Sequence, residues 1–122
     1  MKKEEEYRKY YENIIWHMKI YFEQSGGILG IDSNISIDID YLSPDEASKL
    51  QQLVEDAKFF ELPEESSESP QHSADYFEYK ITIEAKDRKH DVKTTDITMQ
   101  SNLAPLIRYL RKRALKQKDE QL

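Results

Sequence analysis

The chain of 122 residues contains no cysteine. Disulfide bonds, thiolate nucleophiles and cysteine-ligated metals are therefore excluded. Because small secreted domains often depend on disulfides, this absence favours a cytoplasmic protein. Long apolar runs are missing as well. The longest one near the N-terminus, Ile14-Ile15-Trp16, is far too short to span a bilayer or to form a signal peptide. We therefore expect no membrane association.

Catalytic and metal-binding motifs are also absent. The sequence contains no HExxH, GxSxG, Walker or GxGxxG motif, and no histidine lies within five residues of another. Asp38 and Asp40 are expected to project from one strand face about 7 Å apart. Paired carboxylates can hydrolyse glycosides or hold calcium, but a solvated strand face is the favoured interpretation. We predict that the protein is not an enzyme and uses no metal or cofactor.

Charge is distributed unevenly along the chain. The net charge is −6, yet residues 108–122 carry six basic and only two acidic side chains. The remaining acidic part repels phosphate backbones, so we expect no nucleic-acid binding by the folded domain. The basic end is typical of a solvated helix terminus, with nucleic-acid or membrane contact as the less favoured alternative.

Alternating apolar and polar residues predict four strands. Their connections are short enough for the first two and the last two to form antiparallel hairpins. The predicted strands cover Met18–Glu23, the positions around Ile35, Ile37 and Ile39, the alternating run from Phe77 to Glu84, and a weaker run from His90 to Thr95.

Two amphipathic helices are predicted between and after these strands. Ser43 is a favoured cap, Pro44 suits the first helical position, and Glu46 completes a capping box, with the helix running to about Lys58. Apolar residues at helical spacing over 103–114 predict the second helix. The resulting ββαββα order predicts an α+β fold: one four-stranded antiparallel sheet with both helices packed on one face.

The chain divides into three parts. Residues 1–17 are interpreted as an N-terminal extension, helical or disordered, or as residues preceding a translation start at Met18. Residues 18–115 are predicted to form the domain, and 116–122 a charged tail.

A glycine-rich connection joins the first two strands. No helix follows it, so it does not suit a phosphate site. Its apolar residues either insert into a partner's pocket or turn inward beneath the sheet, and the pattern alone leaves both open. The connection comprises Ser25, Gly26, Gly27, Ile28, Leu29, Gly30 and Ile31.

Several segments between Met18 and about Leu115 carry a resemblance to a known family. They are Ser25–Gly30, Leu42–Ala47, Leu53–Pro63, Asp75–Ile83 and Pro105–Leu110, of which LVEDAKFFELP and DYFEYKITIE are the most specific. On these segments the chain resembles emfourin, the family of protein inhibitors of protealysin and related thermolysin-like metallopeptidases.

The resemblance implies a cytoplasmic inhibitor of a thermolysin-like zinc metallopeptidase. We expect the Gly26–Ile31 loop to enter the cleft of that enzyme, with Ile28 or Leu29 in its apolar pocket. A neighbouring loop formed by Thr95, Asp96, Ile97 and Thr98 is expected to widen the contact, and the free inhibitor is expected to be a monomer. The alternative is a non-catalytic protein-interaction module that inhibits no peptidase. A carboxylate-based hydrolase and a nucleic-acid binder acting through its basic tail rank below both.

Overall fold

The computed structural model describes residues 17–26, 32–64, 76–85 and 88–120, with side chains up to 117. Two hairpins alternate with two helices, so the predicted ββαββα order is confirmed. The elements are β1 (Met18–Gly26), β2 (Ser33–Asp38), α1 (Pro44–Ala57), β3 (Phe77–Ala85), β4 (Arg88–Thr95) and α2 (Ala104–Glu120), with short 3-10 helices at Ile39–Tyr41 and Phe59–Glu61.

The four strands form one antiparallel sheet in the order β2-β1-β3-β4. Both predicted hairpins are present, and the first strands of the two hairpins pair with each other in the centre. Ile20 of β1 lies opposite Ile37 of β2 on one side and Ile83 of β3 on the other. The inward side chains of neighbouring strands therefore lie directly opposite one another across the sheet, which creates a continuous apolar face.

Both helices cover this apolar face. Leu50 and Val54 of α1 and Leu106 and Leu110 of α2 are fully buried and belong to the same core cluster as the inward residues of all four strands. A sheet with one apolar face must bury it against another layer, and the two amphipathic helices supply that layer. The α+β architecture expected from the sequence is confirmed.

The predicted start of α1 is also confirmed. The Ser43 hydroxyl accepts a 3.3 Å hydrogen bond from the main-chain N–H of Glu46, and Pro44 occupies the first turn. The helix ends at Ala57 because Lys58 adopts a left-handed conformation with φ 51°. The side-chain amide of Asn102 donates a 3.1 Å hydrogen bond to the main-chain carbonyl of Ala57, which joins the helix end to the segment before α2.

The prediction that β2 continues through Ile39 and Asp40 is wrong. The strand ends at Asp38, whose Oδ1 accepts a 3.0 Å hydrogen bond from the main-chain N–H of Asp40 and caps the 3-10 helix Ile39–Tyr41. Asp38 and Asp40 therefore do not share a strand face. Ile39 is buried all the same, because the 3-10 turn directs it into the core.

The two edges of the sheet differ. The segment after the second 3-10 helix runs beside β4: the main-chain N–H of Lys93 donates to the carbonyl of Glu64 at 2.8 Å, and His90 Nε2 donates to the carbonyl of Leu62 at 2.7 Å. β2 forms the opposite edge. Within the described ranges, neither helix is long and apolar enough to cross a membrane.

Candidate partner-binding surface

One end of the sheet brings together the first two residues of one segment predicted to bind a partner, Ser25 and Gly26, and the other predicted segment, Thr95–Thr98. β1 ends there at Gly26, which pairs with Phe77 at the start of β3. The main-chain N–H of Asp96, just after β4, donates a 3.2 Å hydrogen bond to the carbonyl of Phe77. Gly26 and Asp96 thus flank the same residue, about 10 Å apart at the usual spacing of neighbouring strands. We call this end of the sheet, formed by Ser25–Gly26 and Thr95–Thr98, the loop end.

Gly26 determines how the chain leaves β1. Its φ is +90°, a conformation that side-chain-bearing residues rarely adopt. A Cβ atom at this position would lie 2.8 Å from the main-chain oxygen of Tyr76. Glycine is therefore required here both by the backbone angle and by the close approach of the neighbouring strand.

The turn after β4 is held by threonine hydroxyl groups. Thr95 Oγ1 accepts hydrogen bonds from the main-chain N–H groups of Ile97 at 3.2 Å and Thr98 at 3.1 Å. Thr98 Oγ1 in return accepts from the Thr95 N–H at 3.1 Å and lies 2.9 Å from Thr95 Oγ1. Threonine side chains that satisfy nearby main-chain groups stabilise a turn locally. The turn is therefore braced from within and does not depend on a partner for its shape.

Asp96 ties this turn to β3. Its Oδ2 accepts a 3.0 Å hydrogen bond from the Phe77 N–H, and its Oδ1 accepts a 2.6 Å hydrogen bond from the Tyr79 hydroxyl. Burial, and next the hydrogen bond to Asp96, raise the pKa of Tyr79 well above its ordinary value of 10. The hydroxyl therefore stays protonated and remains a donor to Asp96 throughout the physiological range.

The helix α2 also supports the loop end, through the side chain of Arg111. The Arg111 guanidinium lies 5.2 Å from the ring centroid of Phe77 and 6.0 Å from that of Tyr79, which itself stacks on Phe22 of β1. A guanidinium over aromatic faces is attracted electrostatically while its stem covers apolar surface. The loop end is therefore connected to the helix layer as well as to the sheet.

Ile97 is the apolar residue that this turn presents to solvent. Its side chain is 65% exposed, whereas the neighbouring Met99 packs against the core cluster. Large exposed apolar side chains are unremarkable singly, but one carried on a rigid turn at a strand end is suited to enter a partner's pocket.

The predicted site residues fall into two groups. Ser25 and Gly26 end β1, and Thr95 with Asp96, Ile97 and Thr98 forms the braced turn. The others lie outside the described residues, so their predicted partner contacts remain predictions, as does the choice between an outward and an inward orientation of the apolar pair. These others are Gly27, Ile28, Leu29, Gly30 and Ile31.

Sequence reasoning did not identify the residues that support the turn. Phe77 and Tyr79 of β3 donate hydrogen bonds to Asp96, and Arg111 of α2 packs against the rings of these two residues. The strand alternation indicates that Phe77 and Tyr79 face inward. Their contact with a turn 17 or more residues away depends on the β3–β4 register, which no local pattern encodes.

The described residues contain no constellation suited to metal binding. No group of three or more His, Asp or Glu side chains lies close enough to hold a metal ion within those ranges. His17 is hydrogen-bonded to Asp40, and His90 donates to the Leu62 carbonyl; His72 lies outside the described residues.

Comparison with known proteins agrees with the family that the sequence resembles. The Emfourin family model matches residues 22–111, a range that includes both halves of the loop end. No curated protein matches the chain, and no solved structure does. Because the family model covers well over half of the sequence, the chain belongs to the emfourin family, a family of metallopeptidase inhibitors.

Proposed function

We propose that this protein inhibits a thermolysin-like, protealysin-type zinc metallopeptidase by placing the loop end of its sheet in the active-site cleft of the enzyme. The Gly26–Ile31 loop is the main inserted segment, with Ile28 or Leu29 in the apolar pocket beside the scissile bond. The turn Thr95–Thr98 makes the second contact. Membership of an inhibitor family supports the general role.

One observation carries the choice of surface. Gly26, where the loop begins, and Asp96 of the turn flank the same residue of β3, so the loop starts from the end of the sheet that carries the turn. A peptidase cleft is a long concave surface, and two adjacent projections can occupy it together. A tight protein inhibitor needs a contact of standard size, on the order of 1,600 Å² in total, which a single short loop does not supply.

Rigidity of the loop end is the second supporting feature. The hydroxyl groups of Thr95 and Thr98, and the carboxylate of Asp96, satisfy main-chain N–H groups of the turn and of β3. A surface already held in its bound shape loses little conformational entropy on binding. A braced segment also resists the extended geometry that a peptidase requires for cleavage.

The proposal also specifies the limits of the domain, the location of the protein and its partners. The inhibitor domain comprises residues 18–115, with 1–17 as an extension and 116–122 as a charged tail. We propose a cytoplasmic, non-enzymatic protein that is monomeric when free and that binds neither nucleic acid nor membrane.

The experiment is a titration of the purified protein into thermolysin-like peptidases while cleavage of a peptide substrate is followed. We expect stoichiometric loss of activity, and a large rise in the inhibition constant on Leu29→Asp, because a charge in an apolar pocket is strongly disfavoured. Ile28→Asp is tested separately. A folded protein that inhibits none of these enzymes would instead indicate an interaction module without inhibitory activity.

A further inference from the structure

The outer edge of β2 is open. Among the described residues, no segment pairs with the side of β2 that faces away from β1. The β4 edge differs, because the Lys93 N–H donates to the carbonyl of Glu64 and the chain itself covers part of that edge. Natural sheets usually cover their edges or protect them with lysine or proline, and an unprotected edge is a template for strand pairing. The six residues of β2 include neither lysine nor proline.

The strand registers identify the free main-chain groups on this edge. In an antiparallel ladder, both main-chain groups of a residue point to the same side, and successive residues point to opposite sides. The Lys93 N–H points outward to Glu64, so Lys93 does not bond to Lys80 opposite it. Lys80 therefore bonds to the residue opposite it on β1, and that residue cannot also bond to Asn34 of β2. The N–H and carbonyl groups of Asn34, and by alternation those of Ser36, point away from the sheet.

Acidic side chains flank these free groups. Asp32 immediately precedes β2 and is exposed, and Asp38 is the last residue of the strand. Residues 32–48 carry five acidic and no basic side chains. Lys19 of β1 lies opposite Asp38, but on the side of Asp38 away from the open edge. A strand added to this edge therefore meets carboxylates at both of its ends.

The two faces of β2 differ in character. Asn34, Ser36 and Asp38 alternate with Ile35 and Ile37, which turn towards the helix layer and are only 7% and 6% exposed. On that inner side a groove separates β2 from α2, which lines it with basic side chains. Basic residues of an added strand are therefore favoured on the outer face of the sheet, and uncharged residues on the face towards the groove.

The same acidic ends disfavour pairing between two copies of β2. If Asn34 pairs with Ser36 of a second molecule in an antiparallel arrangement, Asp32 lies opposite Asp38. If Ser36 pairs with its own counterpart, Asp32 instead approaches Asp40. Like charges directly opposite each other destabilise a strand pair. The open edge therefore suits a basic partner and not a second copy of the chain.

We propose that the outer edge of β2 binds an extended, basic polypeptide segment of another protein, which adds to the sheet as a fifth strand. The main-chain groups of Asn34 and Ser36 supply the hydrogen bonds of strand addition, and Asp32 and Asp38 select lysine or arginine on the outer face. None of these residues belongs to the surface proposed to contact a peptidase, so this binding does not require peptidase inhibition.

The test follows amide hydrogen exchange by NMR in the full-length protein. The probe is the acetylated and amidated peptide Lys-Val-Thr-Val-Lys, which presents both lysines on one face in either strand direction. The control peptide is Glu-Val-Thr-Val-Glu with the same ends. At a probe concentration that occupies about nine-tenths of the sites, exchange of the Asn34 and Ser36 amides should slow about tenfold, because only the free tenth exchanges. The Ile35 amide, which points to β1, is the internal reference.

Two pairs of variants examine the contact. Ser36→Pro removes an outward N–H that is not needed within the sheet, and should abolish the slowing at Asn34, whereas Ser36→Thr retains the N–H and the slowing. Asp32→Lys should weaken the effect of the probe. Glu78→Lys makes the same change of charge on β3, which β1 separates from this edge, and should leave the effect intact. Circular dichroism establishes that each variant folds.

Several results would overturn the proposal. Absence of slowing with the lysine peptide would reject binding at this edge, and equal slowing by both peptides would reject a basic partner. The same effect of the probe on Asp32→Lys and Glu78→Lys would also reject the assigned contact. Exchange that slows without peptide as the protein concentration rises would assign the edge to a second copy. No peptidase takes part in these measurements, so their outcome is independent of the proposed inhibition.

Discussion

The Tyr79 hydroxyl donates a 2.6 Å hydrogen bond to Asp96 Oδ1, and this contact joins the centre of the sheet to the tip of its loop end. Tyr79 is almost completely buried, whereas Asp96 is exposed. The second oxygen of the same carboxylate accepts from the Phe77 N–H at 3.0 Å. The position of an exposed turn is thus controlled by a buried side chain.

Removal of this contact is expected to cost stability and to loosen the turn. Tyr79→Phe loses one hydrogen bond to a carboxylate, at a cost of about 1–2 kcal/mol. Asp96→Ala is expected to cost more, about 2–3 kcal/mol, because it leaves the Phe77 N–H and the Tyr79 hydroxyl without their partner. Urea denaturation of both single variants and of the double variant measures the coupling. Strictly additive losses would show that the two residues do not act together.

Ile97 is expected to be an anchor in the inhibitor–peptidase interface. Ile97→Asp should raise the inhibition constant at least about tenfold, which corresponds to roughly 1.4 kcal/mol. Tyr41→Asp is the control, since Tyr41 is 88% exposed and follows the end of β2 that pairs with Lys19, at the opposite end of β1 from Gly26. Equal inhibition constants for the two variants would remove the turn Thr95–Thr98 from the interface.

Gly26 is expected to tolerate no side chain. Gly26→Ala places a Cβ atom 2.8 Å from the Tyr76 main-chain oxygen and requires a residue with a side chain at φ +90°. We expect a loss of about 1–3 kcal/mol in the free energy of unfolding. Ser25→Ala, one residue earlier in the same strand, should change it by less than about 0.5 kcal/mol. Denaturant titration checks both values, and a neutral Gly26→Ala would contradict the required conformation.

The contact between the two helices is expected to depend on pH. The Tyr109 hydroxyl donates a 2.6 Å hydrogen bond to Glu46 Oε2. That bond is the main cause that lowers the pKa of Glu46 below its ordinary value of 4.5. Burial, and next the same bond, raise the pKa of Tyr109 to about 12. The stability that ionised Glu46 contributes to the fold is therefore present above pH 4.5 and is lost as the pH falls through the lowered pKa of Glu46. The stability that the protonated Tyr109 hydroxyl contributes to the fold is present below pH 10 and is lost as the pH rises towards about 12.

An NMR titration of the Glu46 carboxyl carbon tests this assignment. Tyr109→Phe removes the donor and should move the pKa of Glu46 back towards 4.5, while the basic residues nearby continue to lower it. Tyr21→Phe is the control, because Tyr21 lies on the opposite face of the sheet, and this change should leave the pKa of Glu46 unaltered. An unchanged Glu46 titration in Tyr109→Phe would show that charge alone accounts for the lowered pKa.

Local patterns predicted the elements well where a single physical cause acts within a few residues. Ser43 caps α1 as expected because its hydroxyl reaches an N–H three residues on, and Pro44 has no N–H to lose at that position. The alternation of Ile35 and Ile37 placed β2 correctly. The same alternation wrongly extended the strand to Ile39, because a buried isoleucine fits a 3-10 turn as well as a strand. The Asp38 cap that ends the strand does not appear in a hydropathy pattern.

The candidate site was predicted only in outline. Gly26 was identified as a turn residue from the glycine-rich run, and the Thr95–Thr98 segment from the family resemblance. The threonine hydroxyl network is local and consistent with the turn propensity of these residues. The hydrogen bond from Tyr79 to Asp96 and the contact of Arg111 with the Tyr79 ring join residues distant in sequence, and no periodic signal links them.

The sequence by itself determined the identity of the elements, the capped start of α1, the apolar face of each strand and membership of the emfourin family. Each of these depends on residues close together along the chain or on the sequence pattern that the family model matches. Tertiary structure alone decided the strand order β2-β1-β3-β4, the juxtaposition of Gly26 with Asp96 across Phe77, and the groove between β2 and α2. Pairing between strands is chosen by the burial of a shared core face, and that choice involves residues far apart in sequence.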